Sequence, residues 1–120
     1  MSLTDRELLE LAARAAGLNI NQAFQAQRDA AINPAKASLW IDDGSTAWNP
    51  LVDDGHALRL AVKLGIKLRF HPVLCQALAW IPLDTEIRVG VEECSDASSA
   101  TRRAIVLAAA QIGKAMQEKQ

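Results

Sequence analysis

A chain of 120 residues can enclose one hydrophobic core without metals or disulfides, and a second domain is not expected. Half of its residues are hydrophobic and 22% are charged, which excludes a disordered chain; 13 basic against 14 acidic side chains leave a formal charge of -1, which disfavours a general binder of phosphate backbones. No apolar run approaches the ~20 residues that cross a bilayer, and the N-terminus lacks a basic-then-apolar leader, so a cytoplasmic protein that does not span a membrane is expected.

Thr4 and Glu7 have the T-x-x-E spacing of a capping box, with Leu3 and Leu8 placed as a hydrophobic staple. A helix is predicted from Thr4 to Ala16, burying Leu8, Leu11, Ala12 and Ala15 and closed by Gly17. Residues 19–37, rich in Asn, Gln and Ala and broken by Pro34, admit either a short helix over Gln22 to Ala31 or a loop. Leu39-Trp40-Ile41 and Thr46 to Trp48 then form two short strands around the turn Asp42-Asp43-Gly44.

The segment Trp48-Asn49-Pro50-Leu51-Val52-Asp53-Asp54-Gly55-His56 leads into an apolar-periodic run at Ala57, Leu58, Ala61 and Leu64. A carboxylate just ahead of such a run accepts from free amides of the first turn and meets the positive end of the helix dipole. A helix is therefore predicted from Asp54 to Leu64, capped by Asp53 or Asp54 and stopped at Gly65. Ile66 to Phe70 alternates with a period of two and is predicted as a strand with one wet face. Val73 to Ile81, bracketed by Pro72 and Pro82, suits a buried strand, although its Leu, Gln and Ala also favour helix. Glu86 to Val91 alternates again, with Ile87, Val89 and Val91 on one face, and pairs back through the 82–85 turn. The last helix, Ser98 to Met116, is expected to bury Ala104, Ile105, Ala108, Ile112 and Ala115.

Among residues that could carry chemistry, Asp42, Asp43, Asp53, Asp54 and His56 could gather on adjacent loops around a hard cation, but their spacing does not match a calcium loop. Capping and turn formation account for the same acids without a metal. His56 and His71 have no serine or cysteine in a nucleophile context, and phosphate-cradling glycine loops are absent from the sequence. Cys75 and Cys94 lack zinc-site spacing; a hairpin could set them opposite each other, yet reduced thiols are expected in a cytoplasmic protein. Trp40, Trp48 and Trp80 serve as anchors of an Ala-rich core or, where exposed, as protein contacts. Arg102 and Arg103 point about 100° apart on a helix, so separate salt bridges are expected before a shared phosphate site.

Three blocks carry a resemblance: Thr4-Asp5-Arg6-Glu7-Leu8-Leu9-Glu10-Leu11-Ala12-Ala13, Trp48-Asn49-Pro50-Leu51 with Asp53-Asp54-Gly55 through Leu64, and Ala100-Thr101-Arg102-Arg103-Ala104-Ile105-Val106. They resemble the small tailed-phage and prophage proteins of the phage ABA sandwich domain type. The resemblance implies an α/β/α layered domain and brings no established activity, catalytic residue or cofactor. His56 stands where that pattern often has Asp, which removes an acid from the one plausible metal cluster.

Residues and resemblance together predict an α+β fold, a layered α/β/α sandwich with a mostly antiparallel sheet. Three main helices pack it, the terminal two on one face and Asp54 to Leu64 on the other. The expected function is that of a non-enzymatic phage accessory protein that binds a host or phage protein or a second copy of itself, with Trp48, Asp53, Asp54, His56, Arg102 and Arg103 as candidate contacts. The competing reading is a metal-assisted hydrolase or nuclease using Asp53, Asp54 and His56; nucleic-acid binding through Arg102 and Arg103 is a weaker third.

Overall fold

In the computed structural model, which describes residues 3–31, 38–41, 46–72, 76–81, 86–90 and 96–118, the first helix starts as its capping box requires. The Glu7 amide donates to Thr4 Oγ1 at 3.1 Å and the Thr4 amide to Glu7 Oε1 at 2.8 Å. Helix α1 runs over Asp5–Ala16 and ends at Gly17, whose φ of 72° is the left-handed conformation that closes a helix. Its buried side carries Leu8, Leu9, Ala12, Ala13 and Ala16, while Leu3 remains exposed.

Of the two readings of the Asn- and Gln-rich stretch, the helix is correct: α2 spans Gln22–Ala31. A buried carboxamide holds it in place. Gln25, 2% exposed, accepts from the Trp40 amide at 2.7 Å and donates to the Ser38 carbonyl at 3.3 Å, so it satisfies backbone groups that a neighbouring strand would otherwise satisfy. The same carboxamide donates to Asp29 at 3.2 Å, and Asp29 takes two 2.9 Å bonds from Arg6 of α1. Strands β1 (Leu39–Ile41) and β2 (Thr46–Trp48) form an antiparallel ribbon with Leu39 opposite Trp48.

Helix α3 occupies Asp54–Leu64, capped by Asp53 and closed by Gly65 at φ 67°. Strands β3 (Lys67–His71), β4 (Gln76–Trp80) and β5 (Glu86–Gly90) follow as an antiparallel sheet in the order β3-β4-β5. Residues 76–80 are thus strand, as favoured; the expected turns at 42–44 and 82–85, Cys75 and Cys94 lie outside the described residues. Register places Leu68, Ala79 and Ile87 in one row and Phe70, Ala77 and Val89 in the next, all on one face. The final helix, α4 (Ala97–Glu118), covers that face.

The class is α+β, with helices packed on an antiparallel sheet. One placement differs from expectation. Helix α3 lies against α4 and α1, beside the face that α4 covers, and does not cover the opposite face of the sheet. That opposite face carries Lys67, Trp80, Glu86, Arg69, Leu78 and Arg88, of which Leu78 is buried, Trp80 half-buried and the four charged residues exposed. Lys67 sits 5.3 Å from the centre of the Trp80 ring, and Arg88 pairs with Glu86.

With α1 on one side and the sheet on the other, α4 is buried around most of its circumference. Val106, Ala109, Ala110 and Gly113 are buried along with Ala104, Ile105 and Ala108, whereas Ala115, expected inside, is exposed. At the α1 crossing the backbones nearly touch: a Cβ on Gly113 would lie 1.9 Å from the Leu11 carbonyl oxygen. Glycine is the residue that admits this approach. On an exposed helix Gly→Ala stabilises by up to about 1 kcal/mol, but Gly113→Ala is expected to destabilise by about 1–3 kcal/mol through forced separation of α1 and α4. Urea unfolding of Gly113→Ala beside a Gln111→Ala control measures the sign.

Candidate functional site

The loop from Trp48 to His56 folds around Asn49. Its side-chain oxygen accepts from the Leu51 amide at 3.1 Å, and its carbonyl accepts from the amides of Val52 and Asp53 at 3.2 and 3.0 Å. This Asx-type turn buries Pro50 and delivers Asp53 to the head of α3. There Asp53 Oδ1 accepts from the His56 amide at 2.8 Å. That backbone bond holds the Asp53 carboxyl below its ordinary value, with His56, Gly55 and Arg59 adding to the effect and desolvation opposing it. The His56 ring turns back instead of outward: its Nδ1 accepts from the Asn49 amide at 3.1 Å, which assigns the ring proton to Nε2 in the neutral form.

Arg102 braces this loop from α4. Its Nε donates to the Leu51 carbonyl at 2.8 Å, Nη1 to Asp54 Oδ1 at 2.6 Å and Nη2 to Ser99 Oγ at 3.0 Å. The planar fork of a guanidinium suits three acceptors in three directions, a task for which an ammonium is poorly shaped. Ser99 in turn donates its amide to Asp96 at 2.7 Å, and this bond, together with the Ser99 hydroxyl, lowers the Asp96 carboxyl. Arg103 points elsewhere and pairs with Asp5 at 3.0 Å, joining the starts of α4 and α1.

The sequence candidates are therefore close in space but occupied. Asp53 caps, Asp54 pairs with Arg102, His56 accepts from the backbone, and Trp48 is 6% exposed within the core. Trp40 and Trp80 are half-buried. Asp42 and Asp43 lie outside the described residues. Among the described residues no group of three or more His, Cys, Asp or Glu side chains is placed to hold a metal ion.

What the periodic reading missed lies on the other side of α3. The buried stripe is Ala57, Leu60 and Ala61, so Leu58 faces solvent at 60% exposure, joined one turn later by Val62 at 73%. Leu68 of β3 is 38% exposed. Beside them runs a groove of about 360 Å³ whose apolar lining comes from Ala57, Leu58, Leu68, Phe70 and Ile105, with Arg102 and Asp54 at its rim. A signal for it was present: Leu58, Leu60, Val62 and Leu64 are more large apolar residues than one helical stripe accommodates. A larger cleft of about 900 Å³ runs along α1 to the C-terminal end of α4 and is lined in equal measure by polar and apolar groups, among them Glu7, Arg14 and Lys114 beside Leu11, Leu18 and Met116.

Compared with models of protein families, with curated proteins and with solved structures, the chain matches none. Among the described residues no helix is long and apolar enough to cross a membrane.

Two outcomes test the reading of the loop. Arg102→Ala, which strips the Leu51 carbonyl of its partner, is expected to destabilise by about 1–3 kcal/mol, with Arg102→Lys recovering only part of the loss. Asp54→Asn, at a side chain 79% exposed, is expected to change stability far less, because solvent screens that ion pair. Denaturant unfolding of the three variants separates these cases. Acid titration is the second test: Asp53, Asp96 and Asp29 all have lowered pKa values, Asp29 chiefly through its bond from Arg6. Their contribution is fully present above the unfolded value of about 3.9 and is lost as pH falls through the lower folded values. Unfolding midpoints should hold steady from neutrality to about pH 5 and fall below pH 4, and the fall should be shallower in the Asp53→Asn, Asp96→Asn double variant.

Proposed function

We propose that the protein is a non-enzymatic binding module that engages another protein through the apolar surface formed by α3 and β3. This is the role expected of a small phage or prophage accessory protein in the cytoplasm of a bacterial host, in keeping with the resemblance of the three blocks to the phage ABA sandwich type. One observation carries the reading: Leu58, Val62 and Leu68 are exposed on neighbouring elements, and Leu58 and Leu68 both border an apolar groove. Single exposed leucines are ordinary, but several beside a concave apolar surface mark a place where a partner excludes water. The metal-assisted alternative draws no comparable support, since Asp53, Asp54 and His56 direct their polar atoms to three different partners.

A photo-crosslinking residue placed at position 58 or 62 in lysogenic or infected cells is expected to give discrete protein adducts, with none from exposed position 111. Equal labelling from all three positions, or adducts from none, would refute the assignment. Leu58→Lys and Val62→Lys are expected to abolish the adducts formed from the neighbouring position while leaving stability within about 0.5 kcal/mol, as exposed substitutions do. Thermal melts of the purified variants check the second half.

A further inference from the structure

The groove beside α3 has a second property: it runs along a sheet edge. In the order β3-β4-β5, strand β3 pairs with β4 alone, and among the described residues no strand pairs with its other side. An edge strand presents outward-facing amides and carbonyls, which are a template for another strand. Leu68 and Phe70 of β3 point into the groove, and Leu58 of α3 and Ile105 of α4 close its other walls. On the opposite side of the same strand, Lys67 and Arg69 are exposed, and neither has a carboxylate partner among the described residues.

We propose that the free edge of β3 receives an extended peptide as a fourth strand, with apolar side chains seated in the groove under α3 and acidic ones beside Lys67 and Arg69. The inference rests on the protein-binding reading above and names the partner's chemistry: a segment alternating apolar and acidic residues. Alternation follows from the pleat, since successive side chains of an added strand face opposite sides of the sheet. The charge follows from β3. A second copy pairing through the same edge would bring Lys67 and Arg69 against their own kind, and like charges on facing strands repel. The cations that deter self-association are therefore the ones that would select an acidic strand.

Two fluorescent heptapeptides test this by anisotropy at low ionic strength: Glu-Val-Glu-Val-Glu-Val-Glu and its counterpart with Lys in place of Glu. The acidic peptide is expected to bind roughly tenfold tighter than the basic one, and the Lys67→Glu, Arg69→Glu double variant to reverse that order. Leu58→Lys is expected to weaken the acidic peptide, and binding should shift the amide resonances of Lys67 to Phe70. Failure of both peptides to bind at millimolar concentration would overturn the proposal. So would an unchanged preference in the double variant, or shifts centred on Trp80 and Arg88 across the opposite sheet face. Dimerisation through β3, seen by sedimentation and strengthened by peptide-free conditions, would identify a second copy as the occupant and also overturn it. Crosslinks that persist at positions 58 and 62 without peptide binding would sink strand addition alone; loss of both would sink the protein-binding reading with it.

Discussion

The contact on which the rest of the molecule depends is the crossing of α1 and α4, where Gly113 lies against the Leu11 carbonyl. Around it Ala12, Ala13 and Ala16 of α1 meet a helix whose Ala109 and Ala110 are also buried, so small residues on both sides let the backbones approach. Close approach increases the number of atoms in van der Waals range without long side chains that lose rotamer freedom. It also makes α4 thin enough to sit between α1 and the sheet. Were α4 built of leucines on the α1 side, the sheet and α1 could not both reach it at these distances. The high alanine content, uninformative as composition, is thus the material of a helix buried on two sides.

Much of the local structure was legible because backbone chemistry near helix ends is specific. The Thr4–Glu7 box, the Asp53 cap and the stops at Gly17 and Gly65 all stand where their residue types require. Alternation marked β3 and β5, and the Trp48-to-Ile66 stretch reads correctly as ribbon end, turn and capped helix. Other features were less accessible because they depend on partners distant in sequence. A single-stripe reading of α4 missed Val106, Ala110 and Gly113, since periodicity reports one buried face and α4 has two. Similarly, it placed Leu58 inside and overlooked Leu60: α3 carries two apolar stripes, and only the position of α4 decides which is covered.

The acidic segment illustrates how a charged motif can be fully consumed by architecture. Asp53 and Asp96 each accept backbone amides at the head of a helix, and Asp54 is drawn to the guanidinium that also holds the Leu51 carbonyl. The two helix heads are therefore tied by one arginine side chain. This fixes the entry of α3 relative to α4, and with it the width of the groove between α3, α4 and β3. Candidate contacts read from the sequence and the exposed apolar surface are in this way connected: the former set the geometry of the latter without reaching its floor, apart from Arg102 and Asp54 at the rim.

Gln25 acts on the adjoining ribbon by a different means, bonding the same Ser38 whose hydroxyl accepts from Asn49. Its carboxamide, at the tip of a two-methylene stem, reaches the amide of Trp40 and the carbonyl of Ser38 and still touches Asp29. Asparagine offers the same polar atoms on a stem shorter by one carbon, so it could meet them only if the helix backbone moved inward. The spacing between α2 and the ribbon is consequently gauged by side-chain length, a ruler as much as a bond.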